Sequence, residues 1–147
     1  MHTTPLSCVL LAAAVTSFLP AQTTELVSRS PGGTAANNGC NEPVVSGDGR
    51  FVAFVSSATN LVSGDTNNRL DVFVRDLHAA TTTRVSIGPG GVEANHDCIQ
   101  PVISADGRFV AFASAATNLV AGGTNNFRKV YLHDRLTGTT SLACLTS

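Results

Sequence analysis

Asp65, Asn67 and Asp71 place three side-chain oxygens at spacing i, i+2, i+6, which is how a loop built to hold calcium begins. The EF-hand pattern is incomplete, because its sixth place has no glycine and no glutamate closes it. The frame around these residues, TNLVSGDTNN at 59–68, returns as TNLVAGGTNN at 117–126, and there Gly123 and Lys129 stand in place of both carboxylates. Asn60, Gly64, Asn67 and Asn68 persist in the second copy, and such residues accept left-handed backbone and cap turns. Leu61 and Val62 persist too and read as an apolar anchor beneath the loop. A turn that the fold requires twice therefore stands beside calcium as the reading of this segment.

A second constellation is EANHDC at 93–98, where Glu93, His96, Asp97 and Cys98 could form a zinc corner. Its counterpart TAANNGC at 34–40 lacks the histidine and both acids, which favours a solvated loop. Asp48 and Asp106 each precede glycine between apolar runs and read as turn formers. His133 stands where the first copy has Arg75 and reads as a surface exchange. No G-x-S-x-G, H-E-x-x-H or phosphate-binding loop is present, so no catalytic residue is assigned and no cofactor other than calcium is expected.

Composition narrows the class. Hydrophobic residues make up 43% and charged residues 13%, as in a globular domain, and the net charge is -1 with Lys129 the single lysine. No basic run exists to neutralise phosphates, which excludes a nucleic-acid binder. The apolar stretch within residues 1–21 has the length of a secretory signal and falls short of the ~20 residues of a membrane span. Export to the periplasm or the extracellular space is expected, with the mature chain starting at residue 22. An exported chain favours disulfides, and Cys40 and Cys98 occupy equivalent places, so a Cys40–Cys98 bridge is a candidate that leaves Cys144 free.

These pieces are held in a repeat. Shifting the chain by 58 residues pairs 43–86 with 101–144 without a gap, and 24 of the 44 pairs are identical. Self-similarity at a fixed period marks solenoids, propellers and arrays. Each copy contains two apolar runs split by Asp-Gly, a hairpin signal usually satisfied by a type I′ turn. After the decapeptide come DVFVRD (71–76) or KVYLHD (129–134), then TTTRVS (81–86) or TTSLAC (139–144). RFVAFV is apolar on both faces and must be covered on both sides. Four antiparallel strands with two apolar faces make a β-propeller-type blade. The expected fold is all-β: residues 22–42 as an orphan outer strand (TTELVS, 23–28) and lead-in loop, 43–86 as the first blade, 87–147 as lead-in loop and second blade. Two blades form an incomplete propeller, which points to a piece of a longer propeller, to copies that assemble into a ring, or to a decaying paralogue.

The series S-x-D-G-R-F-V-A-F-x-S, D-V-F-V-R-D and T-G-x-T resembles the TolB-like, WD-repeat-like propeller blades of bacterial secreted and periplasmic proteins. The resemblance covers roughly residues 24–147 and lies in the blade skeleton, so it carries no functional residue across. It implies a non-catalytic exported scaffold or protein-binding module, whose partners are other proteins, further blades or copies of itself. A remnant of a secreted propeller-containing hydrolase and a calcium-stabilised surface adhesin are the alternatives.

Overall fold

The computed structural model describes residues 24–122 and 125–143; the signal segment 1–21 and Cys144 lie outside them. Two four-stranded antiparallel sheets account for every strand among the described residues. The first contains β1 (Cys40–Val45), β2 (Phe51–Ser56), β3 (Asp71–Asp76) and β4 (Thr81–Arg84), paired in chain order. The second repeats it with β5 (Cys98–Ile103), β6 (Phe109–Ser114), β7 (Lys129–Asp134) and β8 (Thr139–Leu142). All strand limits shift by the same 58 residues. The chain holds two propeller-type blades, and they do not close a ring.

Both first strands begin three residues before the proline that opens the apolar run. Proline cannot donate to the ladder, so Pro43 and Pro101 sit in bulges, between Asn41 and Val44 and between Ile99 and Val102. Glu42 and Gln100 take φ of 52° and 57° there. The Asp-Gly turns also depart from the expected type I′ form, since Asp48 and Asp106 do not take positive φ. Each aspartate carboxylate is held by the Ser hydroxyl two residues before it and the Arg N–H two residues after. Only the glycine turns left-handed, and its N–H closes the turn on Ser46 or Ser104.

Within a blade, alternate residues face opposite neighbours. Val44, Phe51, Ala53, Val55, Val72 and Val74 form the front of blade 1, and they pack in one core with Cys98, Ile103, Val110, Phe112 and Tyr131 from the back of blade 2. The back of blade 1 carries Phe54 stacked on Phe73, with ring centroids 5.8 Å apart, as Phe112 stacks on Tyr131 in blade 2. Arg50 braces Asp76 across the edge of the sheet at 2.7 Å, and Arg108 braces Asp134 at 2.8 Å.

Residues 24–28, expected as an outer strand, pair with no strand among the described residues. Arg29 bridges Ala35 instead, as Ile87 bridges Glu93. Residues 27–38 thus take the path of 85–96, the crossing that follows β4, and residues 24–26 stand at the places of 82–84 within β4 without a strand beside them among the described residues.

Candidate functional site

The decapeptide is explained by a clamp that both blades share. Asn37 in the lead-in loop accepts from Thr59 N and donates from its amide to Thr59 Oγ1, at 3.0 Å each. Asn60 Oδ1 accepts from Asn37 N, and Asn60 Nδ2 donates to Ala35 O. Asn95, Thr117 and Asn118 make the same four contacts one repeat later. Leu61 and Leu119 are fully buried beneath the loops, as the anchor reading expected. The insertion loop and lead-in loop of each blade therefore form one hydrogen-bonded layer.

The acidic copy differs at its centre. Asp65 and Asp71 do converge, but on the guanidinium of Arg84, while Asn67 reaches the group only through Asp71. Arg84 Nη1 lies 2.6 Å from Glu93, 3.3 Å from Asp65 and 3.6 Å from Asp71, and its side chain is only 8% exposed. Asn67 turns its amide nitrogen to Asp71 and to Ala94 O, while its oxygen accepts from Arg69 N. Thr66 fastens Glu93 through both its N–H and its hydroxyl. Asp71 accepts from Ser86 as well. Burial pushes the Asp65 and Asp71 carboxyls above the usual range, against the pull of Arg84. Burial also works against the Glu93 carboxylate, but hydrogen bonds from Thr66 and Arg84 overcome it and hold the group at about 2. Among the described residues no group of three or more His, Cys, Asp or Glu side chains has the geometry to hold a metal ion.

Arg84 escaped the reading of motifs because it is 13 residues from Asp71 and belongs to no loop signature. The signal was nevertheless present in the comparison of repeats: the copy with Asp65 and Asp71 has Arg84, and the copy with Gly123 and Lys129 has Leu142.

The proposed zinc corner is pulled apart. Glu93 turns to Arg84, His96 Nδ1 accepts from Asp97 N, Asp97 accepts from Leu70 N, and Cys98 enters the core. The Cys40–Cys98 bridge does not form, and both are free thiols. Each sulfur faces its own blade, Cys40 toward Ser56 and Cys98 toward His96 O, so equivalence in the repeat keeps them a blade apart. Burial pushes the Cys98 thiol up to about 12. The Arg75 and His133 positions are not surface exchanges, being 3% and 4% exposed. Arg75 donates to Ala80 O and Thr82 and leaves its Nε without a partner, whereas His133 meets Thr140 at 2.9 Å.

No family model matches the chain and no curated protein does. Solved structures do resemble it. TolB from Acinetobacter baumannii is 20% identical with a TM-score of 0.45 over 74% of this chain and 22% of that one. The β-propeller domain of the Trilobed protease from Pyrococcus furiosus is 16% identical with a TM-score of 0.48, over 73% of this chain and 28% of that one. The acylaminoacyl peptidase of Pyrococcus horikoshii is 18% identical with a TM-score of 0.44, over 75% and 14%. The chain thus spans less than a third of each.

The charge cluster makes stability depend on pH. The folded pKa of Glu93 is depressed, so its contribution is full above the unfolded value near 4.3 and is lost as pH falls toward about 2. Asp76 and Asp134, held low by Arg50 and Arg108, act in the same direction. Asp65 and Asp71 act oppositely: their raised values favour the folded state when protonated, and that contribution is lost as pH rises. Thermal unfolding followed from about pH 5 to pH 2 is expected to fall less steeply in Glu93→Gln than in the wild type. Superimposable curves would show that Glu93 is not held by this cluster.

Proposed function

We propose that the chain is a non-catalytic, exported propeller segment that serves as a rigid scaffold for protein partners. The observation that supports this reading is the loop layer: hydrogen bonds lock insertion and lead-in loops together, yet Phe127 stands 74% exposed upon them. Arg128, Arg69 and His96 are exposed in the same loops. An aromatic side chain flanked by arginine on a rigid surface is the composition that anchors protein interfaces. The buried ionisable groups, in contrast, are spent on holding loops and strands together. No helix among the described residues is long and apolar enough to cross a membrane. Export is supported by the apolar leader sequence.

A photo-crosslinking residue placed at position 127 of the exported chain tests the reading. Adducts with proteins of other mass are expected from position 127 and not from position 79, in the exposed turn between β3 and β4. Absence of adducts from both positions would overturn it, as would hydrolysis of acyl-ester or peptide substrates by the purified chain.

A further inference from the structure

Equivalent positions in the two blades are not equally buried, and the differences fall on two surfaces. On the front of blade 2, Val102 is 62% and Val130 39% exposed, where blade 1 has half-buried Val44 and fully buried Val72. On the back of blade 1, Val45 is 57% exposed, where blade 2 has Ile103 at 8%. An open apolar hollow of about 200 Å³ lies on that back, lined by Leu26, Val27, Cys40, Pro43, Val52 and Phe54. One repeat on, Val85, Cys98, Val110 and Phe112 take the places of four of these and lie in the packed core between the blades. The hollow is where the front of a preceding blade belongs.

We propose that the occupant is a second copy of this chain: the front of its blade 2 docks on the back of blade 1, in the register of the internal junction. This rests on the propeller-scaffold reading and specifies how the scaffold is assembled. The internal junction supplies the template. Phe51 lies on Gly107, where a Cβ would come within 2.0 Å of the ring. Phe109 and Gly49 repeat that pair, and Gly49, with the same φ of +71°, has nothing within 4 Å of its Cβ position. The seat for the ring is built and open.

The next contact is reciprocal. A Cβ on Gly47 would meet Ala105 Cβ at 2.9 Å, so the internal junction takes one glycine and one alanine. The junction between copies exchanges the roles, Ala105 against Gly47, and again places one of each. Gln100 N donates to Glu42 Oε2 at 2.5 Å inside the chain, and between copies the same register sets the side-chain oxygen of Gln100 against the backbone N–H of Glu42. Leu77 takes the place of Arg135, whose guanidinium lies 4.3 Å from the Phe51 ring centroid. Leu142 and Ala35 stand at the places of Arg84 and Glu93, so of that charge cluster docking carries over a single charge, Lys129 at the place of Asp71, whose ammonium donates to Asn125 Oδ1. The lead-in segment does not obstruct the site, because Val27 and Ala36 pack on blade 1 as Val85 and Ala94 pack in the internal junction. Such a head-to-tail contact generates rings when its rotation closes, and about two to four copies would supply the four to eight blades of closed propellers.

Light scattering on the purified exported chain tests the proposal. The wild type is expected as a multimer, and Val102→Asp and Val45→Asp each as a monomer that melts cooperatively, since both side chains are exposed in the single copy. Mixing the two variants is expected to give a one-to-one dimer and nothing larger, because one keeps an intact back and the other an intact front. A monomeric wild type at about 100 µM would overturn the proposal. So would a Val45→Asp variant that still assembles alone, which would mean that like faces pair, or a mixture that stays monomeric. None of these outcomes bears on partner binding, which is read from adducts at position 127.

Discussion

Replacing Arg84 with leucine, the residue at the equivalent place in the second repeat, is expected to cost about 3–5 kcal/mol of folding stability. Removing one partner of a buried ion cluster is costly because the others remain buried without compensation. Here three carboxylates remain, and Asp65 and Asp71 are already pushed up by burial while the guanidinium is present. Arg84→Lys should lie between, since an ammonium retains the charge but not the planar fork that spans three acceptors. Changing the acids with the arginine, as in Arg84→Leu with Asp65→Gly, should cost less than the sum of the separate changes. Urea unfolding midpoints measure all of these. The same series settles the calcium reading of Asp65, Asn67 and Asp71. Millimolar calcium should raise the midpoint of Arg84→Leu, where the acids have lost their cation, and leave the wild type unchanged. A calcium-dependent rise in the wild type would show that Arg84 is not the resident cation.

Gly107→Ala is the second large effect, and Gly49→Ala is its control. Both glycines sit at φ +71°, so an alanine at either carries a left-handed penalty of about 1–2 kcal/mol. At Gly49 that is the whole cost, because the space is open. At Gly107 the added carbon would also lie 2.0 Å from Phe51 Cδ2 and 2.6 Å from Cε2, and the ring must leave its seat between the blades. Gly107→Ala is therefore expected to lose about 2–3 kcal/mol more than Gly49→Ala, short of the 3–5 kcal/mol for deleting a buried phenylalanine. Measured in the Val102→Asp background, where Gly49 stays uncovered, the difference isolates the internal junction. Equal costs would mean that Phe51 moves aside freely and that the junction is loosely packed.

Local information was enough for the blades themselves. FVAFVS and DVFVRD are β-rich and bounded by Asp-Gly and the polar decapeptide, and the strands fall at Phe51–Ser56 and Asp71–Asp76. The 58-residue period needed only the comparison of the chain with itself. Interactions between segments far apart were not legible in the same way. Whether residue 75 or 133 is buried depends on how the following strand and the lead-in loop fold over it, and an arginine or histidine in an alternating strand gives no local sign of that. The turn at Asp48 was decided by hydrogen bonds that its carboxylate accepts from the Ser46 hydroxyl and the Arg50 N–H, which a dipeptide signal does not include.

The sequence by itself determined the repeat, the strand order within each blade and the two apolar faces, because β-propensity, alternation and turn residues act over a few positions. The tertiary structure alone decided what those faces meet. It placed Arg84 from β4 among carboxylates from a loop, a strand and a lead-in segment. It kept Cys40 and Cys98 in separate blades. It also showed that identical residues, Val44 and Val102 or Gly49 and Gly107, differ in burial because only one of each pair has a blade beside it.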